Sequence, residues 1–151
     1  MASLKKPYAL PIAAVGLYLS ASGALAFDPQ AQIISLHVGD QKIIAEVAST
    51  QAALTKGLKN RRSLGTNEGM LFVFKNDFSL CLWMKDTQLP LSVAFIDHTG
   101  TVLNIADMQP LTADVHCAAA PAQFALEMNN GWFHQHGVAP GAKIRAETQA
   151  Q

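Results

Sequence analysis

Five side chains of this 151-residue chain invite a chemical explanation: Arg61, Trp83, Lys85, Thr87 and Glu127. Trp83, Lys85 and Thr87 follow Cys81 at every second position, the spacing that places them on one face of a β-strand, with Leu82, Met84 and Asp86 on the other. A Trp beside a cation and a hydroxyl makes a surface that stacks a sugar ring or holds a small polar molecule in a mostly apolar cleft. Glu127 alternates away from Phe124, Leu126 and Met128, and so shares a face with Ala125 and Asn129. Arg61, in the polar stretch 59–68, offers a planar bidentate donor for a carboxylate or phosphate. The competing structural reading makes Arg61 or Lys85 pair with Glu127 or Asp86 as an internal brace and puts Trp83 in the core, because buried charges are as a rule paired.

Other chemistries find less support. His134 and His136, with His116 beside Cys117, form a second constellation. Two His two apart share a face on a strand, but in the helical turn expected over 131–136 they diverge by about 200°. Nothing at metal-ligand spacing, such as HExxH, completes a site, so no metal is assigned. Ser63, Ser79 and Ser92 lie in no GxSxG elbow and near no His in sequence. Two-carboxylate chemistry would pair Glu127 with Asp86 or Asp107 across a cleft, a placement that only the fold can give. Gly-rich phosphate loops are absent, and no cofactor is expected.

The first 26 residues read as a leader. Lys5 and Lys6 form a positive start, residues 8–19 an apolar stretch, and Ala24-Leu25-Ala26 a cleavage pattern before Phe27. Twelve residues of helix reach only about 18 Å, short of the roughly 30 Å of a bilayer core, so a cleaved secretory signal is expected rather than an anchor, and no later segment could span. Export to the periplasm or beyond follows, with residues 27–151 as one domain. The composition is 50% apolar and 15% charged, which sets aside disordered and collagenous classes. Without Lys5 and Lys6, 9 basic residues face 11 acidic ones, and neither nucleic acid nor anionic lipid is expected as a partner.

In an oxidising compartment the two cysteines, Cys81 and Cys117, are expected to form a bridge, and this consumes the available thiol nucleophiles. No CxxC spacing supports a redox role.

These groups need elements to position them, and the dominant hydrophobic period is two. Eight short strands are expected, over 32–38, 42–48, 69–74, 80–87, 91–97, 101–108, 122–129 and 142–147. A short helix over 50–58, capped by Thr50, and a helical turn over 131–136 would cover them. Residues 110–121 read as a long loop that the bridge ties back to the strand of Cys81. The expected fold is all-β, a sandwich or barrel with one or two short covering helices, because the several crossover helices of a parallel α/β fold are missing.

At Gly57-Leu58, Arg61, Leu64, Gly69-Met70-Leu71-Phe72-Val73-Phe74, Trp83-Met84-Lys85-Asp86-Thr87, Leu89-Pro90-Leu91, Phe95, Gly100 and Leu126-Glu127, the chain resembles the domain-of-unknown-function 192 family over about 42–147. It departs at Lys59-Asn60, where a Met precedes an apolar residue and Arg in the family, and at Asp86 and Ser92, where Asn and Asp are usual. The resemblance implies a small, often exported β-rich domain with no established activity. The reading that follows is a non-enzymatic binding or accessory domain of the cell envelope, taking a small polar or saccharide-like ligand or an envelope protein. Its alternative is a cofactor-free hydrolase or lyase using Glu127 with Arg61 or Lys85.

Overall fold

The computed structural model describes residues 31–147, so the expected leader over 1–26 and its cleavage point after Ala26 lie outside the described residues. Strand-forming runs dominate: β1 (Ile33–Val38), β2 (Gln41–Ala48), β3 (Glu68–Phe78), β4 (Cys81–Trp83), β5 (Leu91–Ile96), β6 (Val102–Met108), β7 (Val115–Cys117), β8 (Ala122–Asn129) and β9 (Ile144–Ala146). Two short helices, α1 (Gln51–Lys56) and α2 (Trp132–Gln135), complete the order. Seven strands make one sheet in the order β6-β5-β8-β3-β2-β1-β9, while β4 and β7 pair apart from it.

All the paired strands run antiparallel except β2 and β3, which are parallel with Glu46 opposite Met70. A parallel pair needs a crossover, and α1 with the loop after it supplies one. The outer edges of the sheet are brought together beyond the β5–β6 hairpin. Ile144 N donates to Gly100 O at 2.9 Å, Val102 N to Ala142 O at 2.9 Å, and Gly141 N to Val102 O at 2.8 Å. The sheet therefore curls on itself, which protects edges that an open sheet would leave unpaired.

Alternation along the strands gives the sheet two apolar faces. Leu71, Ala94 and Leu126 lie in one row and pack with Trp132 and Phe133 of α2. Phe72, Ala125 and Phe95 lie in the next row on the opposite face, packed with Leu58, Leu80 and Met84 from the segments around α1 and β4. Phe95 is fully buried there, and truncating such a ring to Ala costs about 3–5 kcal/mol.

The differences from the sequence reading are local. Strand β4 ends at Trp83 instead of running to Thr87, because Thr87 N donates to Met84 O at 3.0 Å and Asp86 turns the chain at φ 65°. Lys85 and Thr87 are thus placed by a turn and not by strand alternation. The expected loop 110–121 contains β7, stabilised by pairing with β4, which makes nine strands among the described residues. Strand β3 runs on to Phe78, past residue 74 where the expected strand ends, with a register shift between Val73 and Phe78. The last strand is shortened to Ile144–Ala146.

Helix α1 buries no residue fully and so depends on its caps. Thr50 Oγ1 accepts from Ala53 N at 3.2 Å, and Gly57 ends the helix at φ 50°, a conformation that favours glycine. A Cβ at Gly57 would also meet the Phe72 ring at 3.3 Å, so the absent side chain lets the end of α1 rest on β3.

Candidate functional site: a cleft beside Glu127

The exit of α1, the middle of β3 and the strand β4 enclose a cleft of about 460 Å³. Phe72, Phe74, Phe78 and Trp83 give it aromatic walls, and Lys59, Thr87 and Glu127 are among its polar groups. That volume and that mixture match small-molecule sites, which run from about 300 to 1,000 Å³ with a few polar groups in an apolar lining.

Glu127 is the unusual member. It sits on β8 between Met70 of β3 and Val93 of β5, with 5% of its surface exposed. No hydrogen bond or ion pair reaches its carboxyl among the described residues. Burial alone pushes its pKa up to about 8, so at neutral pH it is chiefly a protonated acid that can donate a hydrogen bond.

The expected partner cations stand elsewhere. Arg61 Nη2 pairs with Glu46 Oε2, and both side chains are largely buried. The reason is topological: the parallel β2–β3 pair puts Glu46 in the same row as Met70 and Glu127, and the chain after α1 delivers Arg61 to β2. The other guanidinium nitrogen, Nη1, is buried without a hydrogen bond. Lys85 Nζ lies 5.6 Å from the centroid of the Trp83 ring, a cation–π arrangement. Trp83 itself is 51% exposed and stands opposite Val115 on β7, so it is not a core aromatic.

Of the five residues singled out by sequence, Trp83, Thr87 and Glu127 come together at the cleft, whereas Arg61 and Lys85 do not line it. The brace between Arg61 or Lys85 and Glu127 is corrected to one between Arg61 and Glu46. Neither acid considered as a second carboxylate is among the residues that line the cleft: Asp107 accepts from Ser92 Oγ, and Asp86 lies in the turn after β4. Glu46 escaped the sequence reading although it carries the same signal as Glu127, a lone acid in an apolar strand. Lys59 escaped because its role depends on where α1 ends.

Cys81 and Cys117 are bonded at registered positions of β4 and β7, closing a loop of 36 sequence steps. His136 Nδ1 lies 2.8 Å from Trp132 O, and its ring stacks on Trp132 at 4.2 Å, which occupies that imidazole structurally. Among the described residues no group of three or more His, Cys, Asp or Glu is arranged to hold a metal ion.

The model of the DUF192 family, described as Uncharacterized ACR, matches residues 34–146, from β1 to β9. The chain belongs to the DUF192 family. Two solved structures share its fold. A provisionally named transcription regulator from Sinorhizobium meliloti 1021 is 26% identical with a TM-score of 0.75, the match covering 80% of this chain and 98% of that one. A protein of unknown function from Novosphingobium aromaticivorans DSM 12444 is 32% identical with a TM-score of 0.73, covering 78% of this chain and 89% of the other. No curated protein matches significantly. Membership in DUF192 therefore carries the β-rich fold without an activity, and the chemistry of the cleft has to be argued from its own residues.

Proposed function

We propose that this DUF192 chain is an exported, non-enzymatic binding or accessory domain of the cell envelope, whose cleft holds a small ligand. The observation that carries the reading is Glu127, a buried carboxyl that has no protein partner among the described residues, in an aromatic-lined cleft. Desolvating a carboxyl without a counter-ion is costly, and a position with no use for an acid would be filled more stably by an apolar residue. Trp83 and Thr87 at the same cleft add a stacking surface and a hydroxyl.

Export is supported by the leader pattern over 1–26 and by the Cys81–Cys117 bridge, a bond that persists in oxidising compartments. No helix among the described residues is long and apolar enough to cross a membrane. The hydrolase or lyase alternative needs Glu127 to work with Arg61 or Lys85, and these are engaged with Glu46 and Trp83. A regulator role like that named for the Sinorhizobium protein would call for a basic face, and beyond residue 26 acidic residues outnumber basic ones 11 to 9.

The test is a thermal-shift screen of the mature protein against sugars, amino acids and envelope fragments. A ligand at about 100 times its Kd adds about 2.7 kcal/mol to the folded state. Trp83→Ala, which removes an exposed wall without opening the core, should keep the unliganded melting temperature and lose most of the ligand shift. An equal shift in wild type and variant would remove the cleft from the function. Intact-mass measurement of protein recovered from the periplasm should find Phe27 at the N-terminus, and Met1 there would reject export by cleavage.

A further inference from the structure

We propose that the ligand of this cleft is a small organic anion, a carboxylate carried on an apolar body about the size of one aromatic ring. Its charge would be held by Lys59, and the Glu127 carboxyl would donate a hydrogen bond to one of its oxygens. The inference rests on the cleft being a ligand site and adds the chemical class of what enters it.

Charge complementarity is the first argument. Lys59 lines the cleft, half-buried, and among the described residues its ammonium makes no ion pair or hydrogen bond. Lys85, outside the lining, holds a further positive charge against the Trp83 ring. Glu127 is the one acid among the lining residues, and its strand neighbours in the row are the apolar Met70 and Val93. The remaining charged groups around it are Lys56 on the cleft wall and the Glu46–Arg61 pair beyond Met70, whose charges offset each other. With Glu127 held protonated by burial, the cleft is electropositive at neutral pH.

Hydrogen-bond inventory is the second argument. A protonated carboxyl has an O–H to place, and a carboxylate oxygen is the acceptor that makes the strongest such bond. An amine would meet the repulsion of Lys59 and would have to take the proton off a desolvated acid. The walls set the body: Phe72 and Phe74 on one strand and Trp83 on another present ring faces and edges, which suit an aromatic or short alkyl group.

The experiment uses matched probes in which one body carries three head groups: phenylacetate, phenylacetamide and phenethylamine, with the indolyl and hexyl equivalents. Calorimetric titration of the mature, disulfide-bonded protein should show carboxylates binding about tenfold or more tighter than the amides, with amines weakest. Carboxylate affinity should fall as pH rises through about 8, approaching tenfold per pH unit, because the acid must keep its proton to bind an anion. Lys59→Gln should lower carboxylate affinity about tenfold without changing the melting temperature. Glu127→Gln, which replaces the acid O–H by a weaker amide donor, should lower carboxylate affinity at neutral pH and remove its fall with rising pH. Amides or amines binding better than carboxylates, or Lys59→Gln binding like wild type, would overturn the anion assignment while leaving a ligand cleft. Failure of every probe with every body would overturn the assignment, while the cleft reading is decided separately by the thermal-shift screen.

Discussion

Glu46 and Glu127 stand two strands apart in one row across the sheet, with Met70 between them, and Arg61 pairs with Glu46 alone. At about 4.8 Å per strand the two backbones are only about 10 Å apart, yet their carboxyls have opposite surroundings. Glu46 has the Arg61 guanidinium against it. Glu127 has no counter-ion and is driven toward its neutral form. One row of the sheet therefore carries a structural acid and a chemically available one, distinguished by which of them the chain after α1 can reach.

Breaking the Glu46–Arg61 pair should be costly. Arg61→Met takes the guanidinium away from a carboxylate that is 8% exposed, and removing one member of a buried pair is destabilising, by up to about 3–5 kcal/mol. Replacing both by Met should cost less than the sum of the two single changes, because the carboxylate is removed together with its guanidinium. Urea melts of the two singles and the double form the cycle that measures this. A double variant as unstable as the sum of the singles would show that the two residues do not act as a pair.

Glu127 gives a pH dependence with a definite sign. Its pKa rises from 4.5 in the unfolded chain to about 8 in the folded one, so between those values the folded state binds the extra proton. Stability then falls as pH rises through that window, and the penalty, a few kcal/mol, is fully present above about pH 8. Glu127→Gln should remove that slope and be more stable than wild type at high pH. Melting curves from acid to alkaline pH test it, and parallel profiles for the two proteins would show that Glu127 titrates normally.

Much of this was legible in the sequence where period-two alternation is sustained. The expected strands over 122–129 and 42–48 match β8 and β2 closely, since Leu126 and Met128, or Ile43 and Ala45, need an apolar face. The bridge was legible from compartment chemistry and a count of two thiols. What alternation cannot see is where a strand stops: Trp83 to Thr87 keeps the pattern on paper, but Asp86 adopts φ 65° and the last two candidates leave the strand. Strand β7 was invisible because three residues have no period of their own and are held by β4 and the disulfide. The choice between Glu46 and Glu127 as the partner of Arg61 depended on the parallel register of β2 and β3, a long-range fact that no local pattern encodes.

The Cys81–Cys117 bridge should contribute to global stability, since closing a loop of 36 steps restricts the unfolded chain by roughly 3 to 4 kcal/mol. Reduction, or Cys81→Ser with Cys117→Ser, should lower the melting temperature by several degrees or more. The loss should be accompanied by faster amide exchange in β4 and β7, which lie outside the main sheet. Unchanged melting after verified reduction would mean that pairing of β4 and β7 does not need the bridge.

Gly69 links the sheet's packing to the cleft. It lies buried on β3 opposite Met128, and a Cβ added there would come within 2.6 Å of the Glu127 carbonyl oxygen and 2.5 Å of Met128 Sδ. The sulfur can swing away, but the carbonyl belongs to the β8 backbone and cannot move without displacing Glu127. Gly69→Ala should therefore cost about 1–3 kcal/mol, the usual range for overpacking a well-filled site. It should also change the environment of Glu127, seen as a shift of the midpoint at which its carboxyl titrates by carbon-detected NMR. Gly57→Ala is the instructive comparison. There the strain comes from φ 50° and the contact is with the movable Phe72 ring, so stability should drop while the Glu127 titration stays where it was. A Gly69→Ala protein with wild-type stability and an unmoved Glu127 midpoint would show that β3 and β8 have room to separate, and that the burial of Glu127 does not depend on their close approach.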